Sequence, residues 1–143
     1  MRALLSRAPL NTDLGLLLLR LAVGFSMLVF HGCGKLTGGP EAWARVGGSM
    51  GNLGIGLWPE AWGLAAALAE SLGSLLLILG LFTRPAAAVL AFTMVVAAVQ
   101  HLNMPPEAAN AGWKGASHAL ELLGVYLALL LVGPGAYAFT RGR

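Results

Sequence analysis

The sequence has few charged residues and only one cysteine. Of its 143 residues, 10% are Asp, Glu, Lys or Arg, while 57% are hydrophobic and the mean hydropathy is +0.76. A soluble domain carries about a quarter charged residues, so this composition argues against a soluble protein. Cys33 is alone, so neither an internal disulfide nor a CxxC redox pair can form. The basic residues are dispersed and form no run, which argues against nucleic acid as a partner.

The chain instead contains four long apolar segments, which predict an all-α, polytopic membrane protein with a four-helix transmembrane bundle. The predicted spans are residues 14–32, 60–82, 85–101 and 116–132 of a single domain, 1–143. The segment around LVFHGCGKL offers no A-x-A cleavage signature, so we expect the first helix to be retained rather than cleaved as a signal peptide.

The glycine-rich segment 38–59 lies between the first two spans. It is too short and too rich in glycine for a further span, and it predicts an interfacial or re-entrant loop. Trp43, Trp58 and Trp62 are the expected membrane-interface anchors.

Four spans place both termini on the same side of the membrane. A cytoplasmic location for that side gives five basic residues inside (Arg2, Arg7, Arg84, Arg141, Arg143) and three outside (Lys35, Arg45, Lys114). This distribution agrees with the positive-inside rule, so we predict cytoplasmic termini.

Arg20 and Glu70 are the two charged residues that lie furthest from the ends of the spans. Arg20 is near the middle of the first span and Glu70 is near the middle of the second. Charges inside a bilayer normally face a partner or a water-filled cavity. Both residues fall at a similar depth at about 1.5 Å per residue, so an intramembrane Arg20–Glu70 pair is predicted, with either a structural or a proton-relay role.

A second polar group is predicted toward the outer edge of the bundle. Its members come from three spans: His31, Gln100, His101, His118 and Glu121. Such a set is compatible with a quinone or phenol site, a transition metal, haem between two histidines, or hydrated histidines at the membrane edge. The paired Glu-x-x-His motifs of di-iron bundles are missing. We expect Met27, Phe30 and Met94 to line a quinone site.

Several segments resemble the DoxX family of small four-helix membrane proteins. They are RLAVGFSMLVFHGCGKL in the first span, AALAESLGSLLLILGLFTRPAAAVLAFTMVVAAVQH across the second and third, and HALELLGVYLALLLVGPGAY in the fourth. The chain departs from the family pattern after GPG, where AYAFT replaces a segment such as YSLD and Thr140 replaces its acidic residue.

The resemblance implies a bacterial cytoplasmic (inner) membrane protein that acts as a quinone-linked redox subunit or as a quinone-handling, redox-defence factor. Quinone is the expected ligand, with metal or haem as alternatives, and the lipid bilayer and a homo-oligomer or larger membrane complex are the expected partners. Two other functions stay open: a non-enzymatic assembly factor or partner subunit, and a small-solute transporter. Whether the chain is itself an enzyme is not predicted.

Overall fold

The computed structural model describes residues 10–139, which are mostly helical and contain no strand. Four helices in this range are long and apolar enough to cross a membrane, and their bounds are Thr12–Thr37 (α1), Pro59–Leu79 (α3), Thr83–Leu102 (α4) and Gly112–Val132 (α5). A shorter helix, Gly39–Gly47 (α2), and a 3₁₀ helix, Gly48–Leu53, connect α1 to α3. The predicted four-helix membrane bundle is confirmed.

The helix boundaries follow local capping chemistry. The Asn11 side chain caps α1 by accepting from Leu14 N–H at 2.9 Å, and Pro59 occupies the first turn of α3, where its missing N–H is harmless. Gly80 ends α3 with a positive φ of 68°. Gly133, also with positive φ, ends α5 as its GPG sequence predicts.

The first span is longer than predicted. The predicted span ends at residue 32, but α1 continues to Thr37 through a π-helical segment, Leu28–Gly32. A second π segment, Ala69–Gly73, interrupts α3. Each π segment adds a residue to the turn and changes which side chains face the bundle interior beyond it.

The segment 38–59, predicted to be an interfacial or re-entrant loop, is largely helical, so its prediction as a loop is wrong. Its α2 helix packs against the first half of α3, and glycine allows the two backbones to touch. A Cβ at Gly47 would overlap the Pro59 carbonyl, and one at Gly63 would overlap the Trp43 carbonyl. The glycines therefore permit close helix packing here instead of breaking the helix.

Apolar side chains from all four spans form the core of the bundle, in which α4 packs mainly against α5 and α1 packs against the second half of α3. Successive spans run in opposite directions. At one end of the bundle α1 and α4 end and α3 and α5 begin. At the opposite end Ala136 N–H donates to Asp13 Oδ1 at 2.8 Å, so the first and last described segments meet there.

Candidate functional site

An ion pair between Lys35 and Glu70 is the main polar feature of the bundle interior. Lys35 Nζ lies 2.6 Å from Glu70 Oε1, and the Glu70 side chain is only 3% exposed, compared with 30% for Lys35. The lysine therefore compensates a carboxylate that would otherwise be isolated in a low-dielectric interior. The second carboxylate oxygen, Glu70 Oε2, is buried and has no hydrogen-bond partner.

The two π segments meet where Glu70 enters the bundle. A Cβ built at Gly32 would lie 2.7 Å from the backbone C and O of Glu70 and from Ser71 N, so α1 and α3 are in backbone contact at this level. Only glycine fits without moving one helix. This contact brings the end of α1 over α3 and allows the long Lys35 side chain to reach the Glu70 carboxylate.

A cavity of about 340 Å³ lies on one side of the ion pair. Its walls are mainly apolar and come from α2, α3, α4 and the 3₁₀ helix, and they include the aromatic rings of Trp62 and Phe92. The polar groups are Lys35, Glu70 and the side chains of Gln100 and His101 at the end of α4, together with Ser49 and Thr93. This volume and this composition, apolar with a few polar groups, are typical of small-molecule sites.

A second cavity, of about 370 Å³, lies on the other side of the same ion pair. It is bounded by α1, α4 and α5 and is more polar, with Lys35, Glu70 and His101 shared between the two cavities. The rings of His31 and His118 stack across it with centroids 5.8 Å apart and an interplanar angle of 26°.

His101 has a defined hydrogen bond in the wall between the cavities. Its Nδ1 lies 2.8 Å from the backbone carbonyl of Asn110. Because a carbonyl oxygen can only accept, Nδ1 carries the proton in this contact, and Nε2 of the neutral ring is an acceptor. Gly115 allows the loop before α5 to lie this close, since a Cβ there would overlap the Asn110 carbonyl.

Two hydrogen bonds hold the α2 region over the apolar cavity. Asn52 Nδ2 in the 3₁₀ helix donates to Gln100 Oε1 at 2.5 Å, and Trp43 Nε1 in α2 donates to the Lys35 carbonyl at 2.8 Å. The segment expected to be an interfacial loop thus forms part of the cavity wall.

Arg20 lies far from this site, and the predicted Arg20–Glu70 pair is wrong. Gly32, not Arg20, is level with Glu70, and twelve residues of helix separate Arg20 from Gly32 by about 18 Å. The fully buried Arg20 instead donates to the carbonyls of Leu77 at 3.2 Å and Tyr137 at 2.6 Å. It therefore joins the end of α3 to the segment that follows α5.

The predicted outer polar group is distributed over both cavities. Gln100 lines the apolar cavity, His31 and His118 line the polar one, and His101 lines both. Glu121 lines neither: it is exposed on α5, where Leu122 takes the inward position. Of the expected apolar walls, Met27 and Met94 line the polar cavity, whereas Phe30 is 77% exposed.

Sequence reasoning missed Lys35 as the partner of Glu70, and it missed Trp62 and Phe92 as walls of a cavity. Trp62 had been assigned to the membrane interface, and Phe92 is one of many apolar residues in its span. The lysine itself was visible, four residues beyond His31 on the same helix, but α1 was expected to end before reaching it.

Metal coordination has little support in the described part of the chain. Within residues 10–139, no three His, Cys, Asp or Glu side chains lie close enough together to hold a metal ion. The stacked arrangement of His31 and His118 also places their ring faces, rather than their nitrogen lone pairs, toward each other.

Comparison with known proteins identifies a family. The model of a protein family described as DoxX matches residues 15–102, which include most of α1, the whole of α2 to α4 and both π segments. No curated protein and no solved structure matches the chain.

Proposed function

Because this chain belongs to the DoxX family and is an integral membrane protein, we propose that it binds a quinone or a related phenol in the apolar cavity. In this role it serves as a quinone-linked redox subunit or as a redox-defence factor. The observation that carries the proposal is the cavity itself, in which a mostly apolar wall with Trp62 and Phe92 ends at a buried ion pair and at Gln100 and His101.

The chemistry of a quinone matches both parts of this cavity. Its ring is flat and apolar and packs favourably against aromatic side chains. Its oxygens require hydrogen-bonding groups once they are removed from water. The free amide N–H groups of Gln100 supply donors, because its oxygen already accepts from Asn52.

A bound quinone exchanges electrons only with a second redox carrier. A partner in a larger membrane complex is therefore part of the proposal, and it would supply that carrier. We further propose a bacterial cytoplasmic membrane location with the Asp13–Ala136 end of the bundle on the cytoplasmic side, which is supported by the excess of basic residues near the termini.

The test is ligand binding by the purified protein in detergent. Dimethylnaphthoquinone is a suitable probe, because its substituted ring does not readily add the exposed thiol of Cys33. We expect the ligand to raise the melting temperature, since binding to the folded state alone stabilises it by about 2.7 kcal/mol at one hundred times Kd. Extracted lipids are expected to contain quinone.

Two variants on the same helix make the test specific to the cavity. Ala66→Phe fills part of the apolar cavity and is expected to abolish the thermal shift. Ala61→Phe places the same ring at an exposed position that does not line the cavity and is expected to leave the shift unchanged. Equal shifts in both variants, or no shift and no extracted quinone in the wild type, would refute the proposal. Co-purification of a stoichiometric partner without quinone would favour the assembly-factor function.

A further inference from the structure

We infer that the cavity selects ligands that carry a hydroxyl group, such as a hydroquinone or phenol, over quinones, with Glu70 and His101 as the acceptors of the hydroxyl hydrogen bond. This inference rests on the proposed function and assigns the ligand class of the same site. It arises from the hydrogen-bonding state of the polar groups at the end of the cavity.

The first observation is the incomplete pairing of Glu70. An ionised carboxylate only accepts hydrogen bonds and has room for about four. Lys35 supplies one to Oε1 at 2.6 Å, while Oε2 is buried without a partner. Leaving a charged acceptor unpaired in the interior is unfavourable, so a ligand that brings a donor to Glu70 gains the interaction that the protein alone leaves unmade.

The second observation is the orientation of the proton on His101. Its Nδ1–H is directed to the Asn110 carbonyl, so Nε2 of the neutral ring is also an acceptor. Glu70 and His101 both line the apolar cavity. Two acceptors on one polar wall are complementary to the O–H groups of a hydroquinone, catechol or phenol.

A quinone fits the same wall less well. Its two carbonyl oxygens only accept, and placing one against the Glu70 carboxylate would bring two acceptors together. The Lys35 ammonium lines the cavity, but it is already paired with Glu70. The Gln100 amide and the Ser49 hydroxyl can donate to a quinone, which then occupies the cavity while leaving Oε2 of Glu70 unpaired.

The experiment measures the affinity of the purified protein for three ligands of nearly the same shape: naphthol, its methyl ether and naphthoquinone. Quenching of tryptophan fluorescence provides the signal, because Trp62 lines the cavity, and a Cys33→Ser background prevents thiol addition to the quinone. A hydrogen bond to a charged group contributes enough to give naphthol an advantage of about 10- to 100-fold over the methyl ether.

Variants identify the acceptor. Glu70→Gln is expected to reduce the preference for naphthol over its ether to within about threefold while leaving the affinity for the ether little changed, since the amide is a weaker acceptor than the carboxylate. If Glu70→Gln fails to fold because Lys35 is left unpaired, the double variant Lys35→Met, Glu70→Gln removes both charges and serves the same purpose. Glu121→Gln is the matched control, because this carboxylate is exposed and outside both cavities.

The outcomes separate the inference from the proposed function. Tight binding of naphthol that depends on Glu70 supports both. Equal binding of naphthol and its ether, or a preference that persists in the Glu70 variants, overturns the hydroxyl selectivity while keeping a ring-binding cavity. Failure of all three ligands to bind overturns both.

Discussion

The Lys35–Glu70 pair gives the sharpest test of the structure, because its two members differ in exposure. Lys35→Met leaves an ionised carboxylate that is 3% exposed without its cation. Removing one partner of a buried pair destabilises a protein by about 3–5 kcal/mol. Glu70→Gln leaves a lysine that is 30% exposed and can turn its ammonium toward water, so we expect a smaller loss of about 1.5–3 kcal/mol.

The double variant completes the cycle. With both charges removed, no uncompensated ion remains, and we expect Lys35→Met with Glu70→Gln to be more stable than Lys35→Met alone. The free energy of unfolding is measured by titrating the protein with SDS in mixed micelles. Glu121→Gln, which changes an exposed carboxylate, is expected to alter the unfolding free energy by less than about 0.5 kcal/mol.

Two results would contradict this reasoning. Equal losses for the two single variants would mean that Lys35 and Glu70 do not differ in access to water. A double variant destabilised by the sum of the single losses would mean that the two side chains do not interact.

Three further predictions concern other parts of the bundle. Gly32→Ala should lower the unfolding free energy by about 1–3 kcal/mol, because the added Cβ would lie 2.7 Å from the α3 backbone. Gly34→Ala is the control: it has open space around it and should be neutral or slightly stabilising. Similar losses for both variants would refute the helix contact. Arg20→Met should make residues 133–139 more sensitive to protease, since it removes the donor to the Tyr137 carbonyl, and an unchanged cleavage pattern would contradict this role. The membrane orientation can be tested in a cysteine-free background with a membrane-impermeant maleimide added outside the cell. Ala109→Cys, in the loop between α4 and α5, should react, and Tyr137→Cys, after α5 at the opposite end, should not. The reverse pattern would contradict the proposed cytoplasmic location of the termini.

The number and approximate position of the spans could be predicted from the sequence, because each span is a long, mostly apolar segment and the bilayer dictates its length. Gly32 and Gly34 lie where the predicted first span ends, and glycine is a common residue at the end of a helix. In the structure Gly32 instead marks the closest approach of α1 to α3. A glycine that ends a helix and one that permits helix contact are identical in the sequence, and only the neighbouring helix distinguishes them.

The candidate site was predicted in part. His31, Gln100, His101 and His118 lie around the two cavities because antiparallel spans bring their ends together. Glu121 does not, because it is exposed on α5 beyond the edge of the polar cavity, which His118 and Leu122 line.

The sequence by itself therefore determined a four-span membrane bundle whose polar side chains gather at one end, since composition and span length suffice for that. Only the tertiary structure decided that Glu70 pairs with Lys35 and that Arg20 holds the segment after α5. The reason is the alignment of α1 along α3. The π segments and the backbone contact at Gly32 fix this alignment. A shift of a few helical turns decides whether Arg20 or Lys35 is the basic residue level with Glu70.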